Sequence, residues 1–420
     1  MKRRGSLVFL GALAAVVAAL VWWDARRPST DEAARARARI VPNFDRARAT
    51  ELEIERHGSE PHTTKLRHEA SGWWLVDPRR RADDTAVESL LAVLEFGEVE
   101  RRIEHVDAKL RETLGLGVPR FIVRVAGHTL RIGNDDPSRG VYVERDDEPG
   151  VLVAERRLIE TAGIDPRLWM SMRLSLSDPG DAHQIATDAF TLERAGGWRV
   201  TKPVVVRAAD AKVDALVQSL DRTSATNTGY AALSDAAKTT LALDGAAQAE
   251  LGGKCNGDEP SGLFAERADG AGLCFRASDF DLLRAPPATF YQRRLFPFRL
   301  DDIVAVDVGP LQLRRESAAW RITAPLGAVR PVDDAKVRAF LEPLLAAEAR
   351  SFSAAPVGEG AARDAAPGTP AASKTAAATR VRVATRDDEI VATVDGARAR
   401  RTGETVTLEL AAPLALATSF

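Results

Sequence analysis

The sequence has 420 residues, of which 45% are hydrophobic and 28% charged. It is too long for one ordinary core and has the apolar material for two to four globular domains. Its formal net charge of -2 excludes both the basic field of a nucleic-acid binder and the acidic excess of a cation sponge, so electrostatics names no partner.

In chain order, Lys2, Arg3 and Arg4 precede SLVFLGALAAVVAALVWW (6–23), a stretch without charge. As a helix it would span about 27 Å, close to the hydrocarbon thickness of a bilayer. Trp22 and Trp23 close it where an aromatic belt sits, and Asp24, Arg26 and Arg27 follow. The length of the apolar run, and tryptophans where a cleavage site needs small residues, predict an uncleaved signal anchor. The expected plan is a cytoplasmic tail (1–5), one transmembrane helix (6–23), a polar Arg- and Ala-rich tether (24–43) and an extracytoplasmic, periplasmic body. Arg26, Arg27, Arg35 and Arg37 blunt the charge asymmetry that orients the span.

From the tether onward one frame repeats at domain-sized intervals. Trp73, Trp198 and Trp320 are each followed five residues later by a proline, Pro78, Pro203 and Pro325. An aspartate comes next, Asp84, Asp210 and Asp334, then apolar residues at helical spacing: Val87/Leu90/Leu91/Leu94, Val213/Leu216/Val217/Leu220 and Val337/Phe340/Leu341/Leu344. The aspartate is expected to cap the helix and the proline to mark the crossing from strand to helix. Before each tryptophan the sequence alternates as strands do, predicting a three-stranded meander. A second strand cluster follows each helix, as in FIVRVAG, TLRIGN, GVYVER and GVLVAE of the first copy. These patterns predict an α+β fold of three tandem repeats, 44–172, 173–297 and 298–420, largely antiparallel, with a flexible insert at 353–379 in the third.

The chemistry-bearing residues read mostly as scaffold. Three tryptophans at one position beside an apolar helix face are core. Trp74 has no equivalent in the other copies and lies on the opposite strand face from Trp73, which makes it the candidate contact surface. His57, His62 and His68 lack a zinc-type constellation. Asp83-Asp84 and Asp333-Asp334 read as helix starts rather than paired acids. Arg79-Arg80-Arg81 and Glu98 to Glu104 read as solvated faces. No phosphate loop, nucleophile elbow or metalloprotease motif is present, so no catalytic, cofactor-binding or metal residue is assigned. Cys255 and Cys274, the only cysteines, lie in one strand cluster and are expected to form a disulfide in an oxidising compartment.

The frame W-x-L-x-x-P, then A-D...V...LL, Gly-Leu-Gly-Val-Pro (115–119), Leu-Arg-Ile-Gly (130–133) and Gly-Val-Tyr-Val (140–143) resembles the bacterial domain-of-unknown-function family 4340, best in the first copy. The resemblance implies a membrane-anchored extracytoplasmic protein, often encoded beside ABC-transporter components of the gliding-motility auxiliary type. It implies no catalytic residue. The function expected is envelope binding or scaffolding, with the membrane and envelope proteins as partners, no nucleic acid and an unknown small-molecule ligand. The alternative is an envelope hydrolase or carbohydrate-active enzyme whose acids come from distant loops.

Overall fold

The computed structural model describes residues 38–58, 60–229, 238–255, 262–316, 319–324, 330–354, 378–414 and 416. The chain divides into two compact units, Met1–Met172 and Arg173–Phe420. The first contains one sheet and the second contains two.

In the first unit β1 (Glu51–Arg56), β2 (His62–Glu69), β3 (Gly72–Val76) and β4 (Arg79–Arg81) lead into α1 (Asp84–Phe96). Then come β5 (Val99–Ile103), α2 (Ala108–Thr113), β6 (Phe121–Val125), β7 (His128–Asp135), β8 (Val141–Arg145), β9 (Val151–Ala154) and α3 (Arg157–Ala162). The strands form one antiparallel sheet in the order β4-β3-β2-β1-β6-β7-β8-β9-β5. Helix α1 therefore connects the two outermost strands. Its thirteen residues span about 20 Å, whereas nine flat strands would set the edges about 38 Å apart. The sheet must curl around the helix for so short a connection to join its edges.

The side chains fit that geometry. Val87, Leu90, Leu91 and Leu94 are fully buried and share one core with Trp73, Leu52, Leu66, Val123, Leu130 and Ile132 from the concave face of the sheet. In β6 the alternation of Phe121, Val123 and Val125 inward with Ile122 and Arg124 outward follows the two-residue period of a strand. The family-like glycines serve close approach. A Cβ on Gly133 would stand 2.3 Å from the Leu114 carbonyl oxygen, and Gly115 has φ +73. The Asn134 N–H donates to that same carbonyl at 2.9 Å, locking the end of α2 onto β7.

The second unit repeats the plan twice. Strands β10–β18 (184–276) and β19–β27 (305–410) form two further nine-stranded sheets in the same order. They are crossed by α4 (Asp210–Arg222) and α5 (Asp334–Ala346). Val213, Leu216 and Leu220, and Val337, Leu341 and Leu344, are buried against them.

The expected α+β class is wrong. Among the described residues the protein is mostly β, with 27 strands in three antiparallel sheets and one long helix per sheet. The strands on either side of each long helix cause the difference. Arg79-Arg80-Arg81 and VERRI carry no apolar alternation, yet they pair as β4 and β5 at the sheet edges, where polar sequence is tolerated and blunts edge-to-edge association. Among the described residues no helix is long and apolar enough to cross a membrane. The stretch 6–23, where that helix is expected, lies outside the described residues, as do Pro325 and residues 355–377 of the expected insert.

Candidate functional site

Trp73, Trp198 and Trp320 are 2%, 6% and 6% exposed. They stand in β3, β12 (Trp198–Lys202) and β21 (Ala319–Ala324), which are equivalent strands in the three sheets. Asp84, Asp210 and Asp334 are the first residues of the long helices, but the caps lie one residue earlier. Asp83 accepts the Ala86 N–H at 2.9 Å and Asp333 accepts the Ala335 N–H at 2.8 Å, while Ala209 in the second sheet has no side chain to do so. Asp84 instead accepts the backbone N–H of Trp73 at 3.1 Å and pairs with Arg81 at 2.5 Å. Pro78 and Pro203 sit in the turns β3–β4 and β12–β13 (β13, Val206–Arg207), not at a direct strand-to-helix crossing.

Trp74 is not an exposed contact surface. It is 6% exposed, its indole N–H donates to Ser71 Oγ at 3.0 Å, and the Arg79 guanidinium covers the ring 4.1 Å from its centroid. Arg81, read from the sequence as solvated, has a side chain only 12% exposed and donates to the Trp73 carbonyl at 2.8 Å. His57, His62 and His68 form no chelating group. Among the described residues the one such group is His128, Asp146 and Asp147, whose acids are exposed. Cys255 and Cys274 are disulfide-bonded with Cα atoms 5.8 Å apart. The bridge ties the end of β16 (Ala246–Lys254) to β18 (Gly272–Arg276).

Sequence reasoning missed a second recurrent feature. Arg145, Arg267 and Arg401 end β8, β17 (Gly262–Arg267) and β26 (Arg398–Arg401), and are 6%, 1% and 3% exposed. Each pairs with an acid two or three residues later: Arg145 with Asp147 and Glu148, Arg267 with Asp269, Arg401 with Glu404. Each also donates to a carbonyl of the segment entering its own sheet, Ile40 at 2.8 Å, Arg173 at 2.9 Å and Leu295 at 3.0 Å. Those segments bridge to the residue just past the long helix, as Arg39–Glu98, Arg173–Ser224 and Arg294–Glu348. Burying a guanidinium is costly unless charge and hydrogen bonds satisfy it, and here they do. The Glu-Arg shared by GVYVER and GLFAER was the available signal.

Within the second unit these groups build the joint between its two sheets. The Thr405 N–H donates to the Val205 carbonyl at 2.8 Å, and the Val205 N–H donates to Thr405 Oγ1 at 2.8 Å. Glu404 accepts the Arg207 N–H at 2.8 Å while holding Arg401. The Arg207 side chain reaches Asp388 at 2.6 Å. Burial pulls the Arg401 pKa down, with Arg207 adding to the effect and Glu404 opposing it. A small cavity opens beside this joint, lined by Trp198, Arg199, Arg207, Asp388 and Glu404 among others.

Fold and joint together define a tandem-repeat, mostly-β protein. Residues 73–244, from the first frame tryptophan into the second sheet, match the family described as a domain of unknown function (DUF4340). No curated protein and no solved structure matches the chain.

Proposed function

We propose that the protein is a cell-envelope binding or scaffolding protein, held at the bacterial inner membrane by the apolar stretch 6–23 with its body extracytoplasmic, and accessory to an ABC-type transport or motility system. The observation that carries this reading is the triple recurrence of one buried arginine–acid clamp. Arg145, Arg267 and Arg401 sit at equivalent points and bind the chain entering each sheet, so the strongest ionisable groups serve assembly of the repeats. Proteins built of tandem repeats commonly serve as binding surfaces. The Cys255–Cys274 bridge suits an oxidising compartment. The transporter link rests on the family resemblance alone.

The test is affinity purification of the tagged full chain from detergent-solubilised membranes after mild cross-linking. Recovery of ABC-transporter subunits in fixed ratio is the expected result. A chain that leaves the cell with the soluble cytoplasmic fraction, or a purified body that hydrolyses envelope glycans with turnover, contradicts the proposal.

A further inference from the structure

The joint of the second unit is heterologous, because a turn of one sheet seats on an edge strand of another. Its receiving side is β13, where Arg207 lies opposite Arg199 of β12 and turns its main-chain groups away from that strand. The Arg207 N–H donates to Glu404 at 2.8 Å, and its carbonyl accepts the Gln292 N–H at 2.9 Å. The entering side is the turn 402–405 before β27 (Val406–Leu410). It supplies the Glu404 carboxylate together with the N–H and the hydroxyl oxygen of Thr405.

Each side recurs elsewhere in the chain. The third sheet presents β22 (Arg330–Val332) at the edge that β13 forms in the second. The first sheet has the turn 146–149 where the third has 402–405. A turn and an edge that match but belong to different molecules join copies into an open series, since a heterologous contact that does not close on itself repeats.

Both recurrences carry proline at a bonding position. Trp320 pairs with Val332 and Arg321 with Pro331, so Pro331 stands where Arg207 does, with its nitrogen turned out of the sheet. That nitrogen has no hydrogen to give a carboxylate, and the residue is exposed. Proline on an edge strand is one of the devices that stop strands of different molecules from pairing. On the turn, Val143 pairs with Leu152 as Ala399 pairs with Leu408, which aligns Glu148 with Glu404 and Pro149 with Thr405. Pro149, also exposed, has neither the N–H nor the hydroxyl. Glu148 is held by Arg102 as well as by Arg145, whereas Glu404 serves Arg401 and the incoming N–H.

We propose that Pro331 and Pro149 are stops that keep copies of this chain from joining turn to edge. The joint then forms within the second unit and is barred between molecules, much as terminal repeats of other arrays carry surfaces that end the stack. This inference concerns contact between copies and does not depend on the envelope reading.

The experiment compares the full chain in detergent with Pro149→Thr, Pro331→Arg and the double variant. Each substitution installs, at an exposed position, the residue found at the equivalent point of the working joint. Light scattering after size exclusion reads the protein mass. Carbodiimide cross-links in mixtures of unlabelled and nitrogen-15-labelled chains read contacts between copies. The parent and each single variant should keep one mass at every concentration, with no inter-copy link between 146–150 and 330–336. Mixing the two single variants should give pairs of twice that mass, carrying the link. The double variant alone should grow with concentration, because each molecule then offers both sides. Three outcomes would overturn the proposal: the inter-copy link in the parent, a single variant that assembles alone, or a double variant that keeps the mass of the parent.

Discussion

The Glu404 carboxylate accepts the main-chain N–H of Arg207 at 2.8 Å, across 197 residues of sequence. The same carboxylate holds the buried Arg401 at 2.9 Å, so one side chain both closes the joint and neutralises the clamp inside it. Removing it leaves a guanidinium 3% exposed without its counter-charge. Glu404→Ala is predicted to cost roughly 3–5 kcal/mol, the usual penalty for orphaning a buried charge. Urea unfolding of the full chain checks this, and a loss below about 1 kcal/mol, as for an exposed ion pair, would contradict it.

Thr405 makes the joint's reciprocal backbone pair with Val205. The equivalent turn of the first sheet carries Pro149, exposed and without an N–H, before β9. Thr405→Pro should open the joint without unfolding either sheet, since it removes a donor at an edge rather than a core side chain. Hydrogen exchange should then lose protection at Val205 and Arg207 while β12 and β21 stay protected. Unchanged exchange at both amides would show that the pair does not hold the joint.

Trp73 and Trp320 share their cores with the apolar stripes of α1 and α5, and Trp198 is buried at the equivalent strand position. Trp198→Ala or Trp320→Ala should cost about 3–5 kcal/mol. Trp73→Phe should cost less, because the Trp73 indole N–H is buried with no hydrogen-bond partner to lose. Denaturant midpoints of the three variants provide the comparison, and a Trp73→Phe loss equal to that of the alanine variants would contradict the packing account.

These positions show what was legible in the sequence and what was not. The tryptophans, the helix stripes and seven of the nine strands in the first sheet follow from local period, because each buries one face against one core. The two edge strands did not show, since β4 is three arginines and β5 is charged. Edge strands bury little, so their sequences carry little pattern. Trp74 was misread because what covers it, Arg79, packs from the next strand. Arg145, Arg267 and Arg401 were missed because arginine ordinarily marks solvent. Their partners lie on separate segments of chain that no local pattern connects.

Acid stability should bear the mark of Asp136. Hydrogen bonds from Ser138 and Tyr142, with Arg101 nearby, hold its carboxyl down from 3.8 to about 2. The folded pKa is lowered, so its contribution is complete above pH 4 and is lost as pH falls toward 2. Asp136→Asn should flatten the fall in unfolding free energy across that window. An acid limb as steep as the parent's would show that other carboxylates govern it.

The Cys255–Cys274 bridge spans a sequence separation of 19, and closing a loop of that size stabilises by about 3 kcal/mol in the chain-entropy model. Cys255→Ser with Cys274→Ser should lower the stability of the second unit by that order. Urea unfolding under non-reducing conditions reads the loss. A double variant as stable as the oxidised parent would mean that the bridge adds nothing to the fold.

The central claim, that the three-sheet body stands outside the inner membrane while remaining attached to it, is tested most directly by adding protease to intact spheroplasts carrying the chain with a C-terminal tag. The tag is expected to be lost before lysis, the full chain to sediment with membranes, and its N-terminus still to include residues 6–23. A tag protected until the membrane is broken, or a mature N-terminus beyond Trp23, would contradict it.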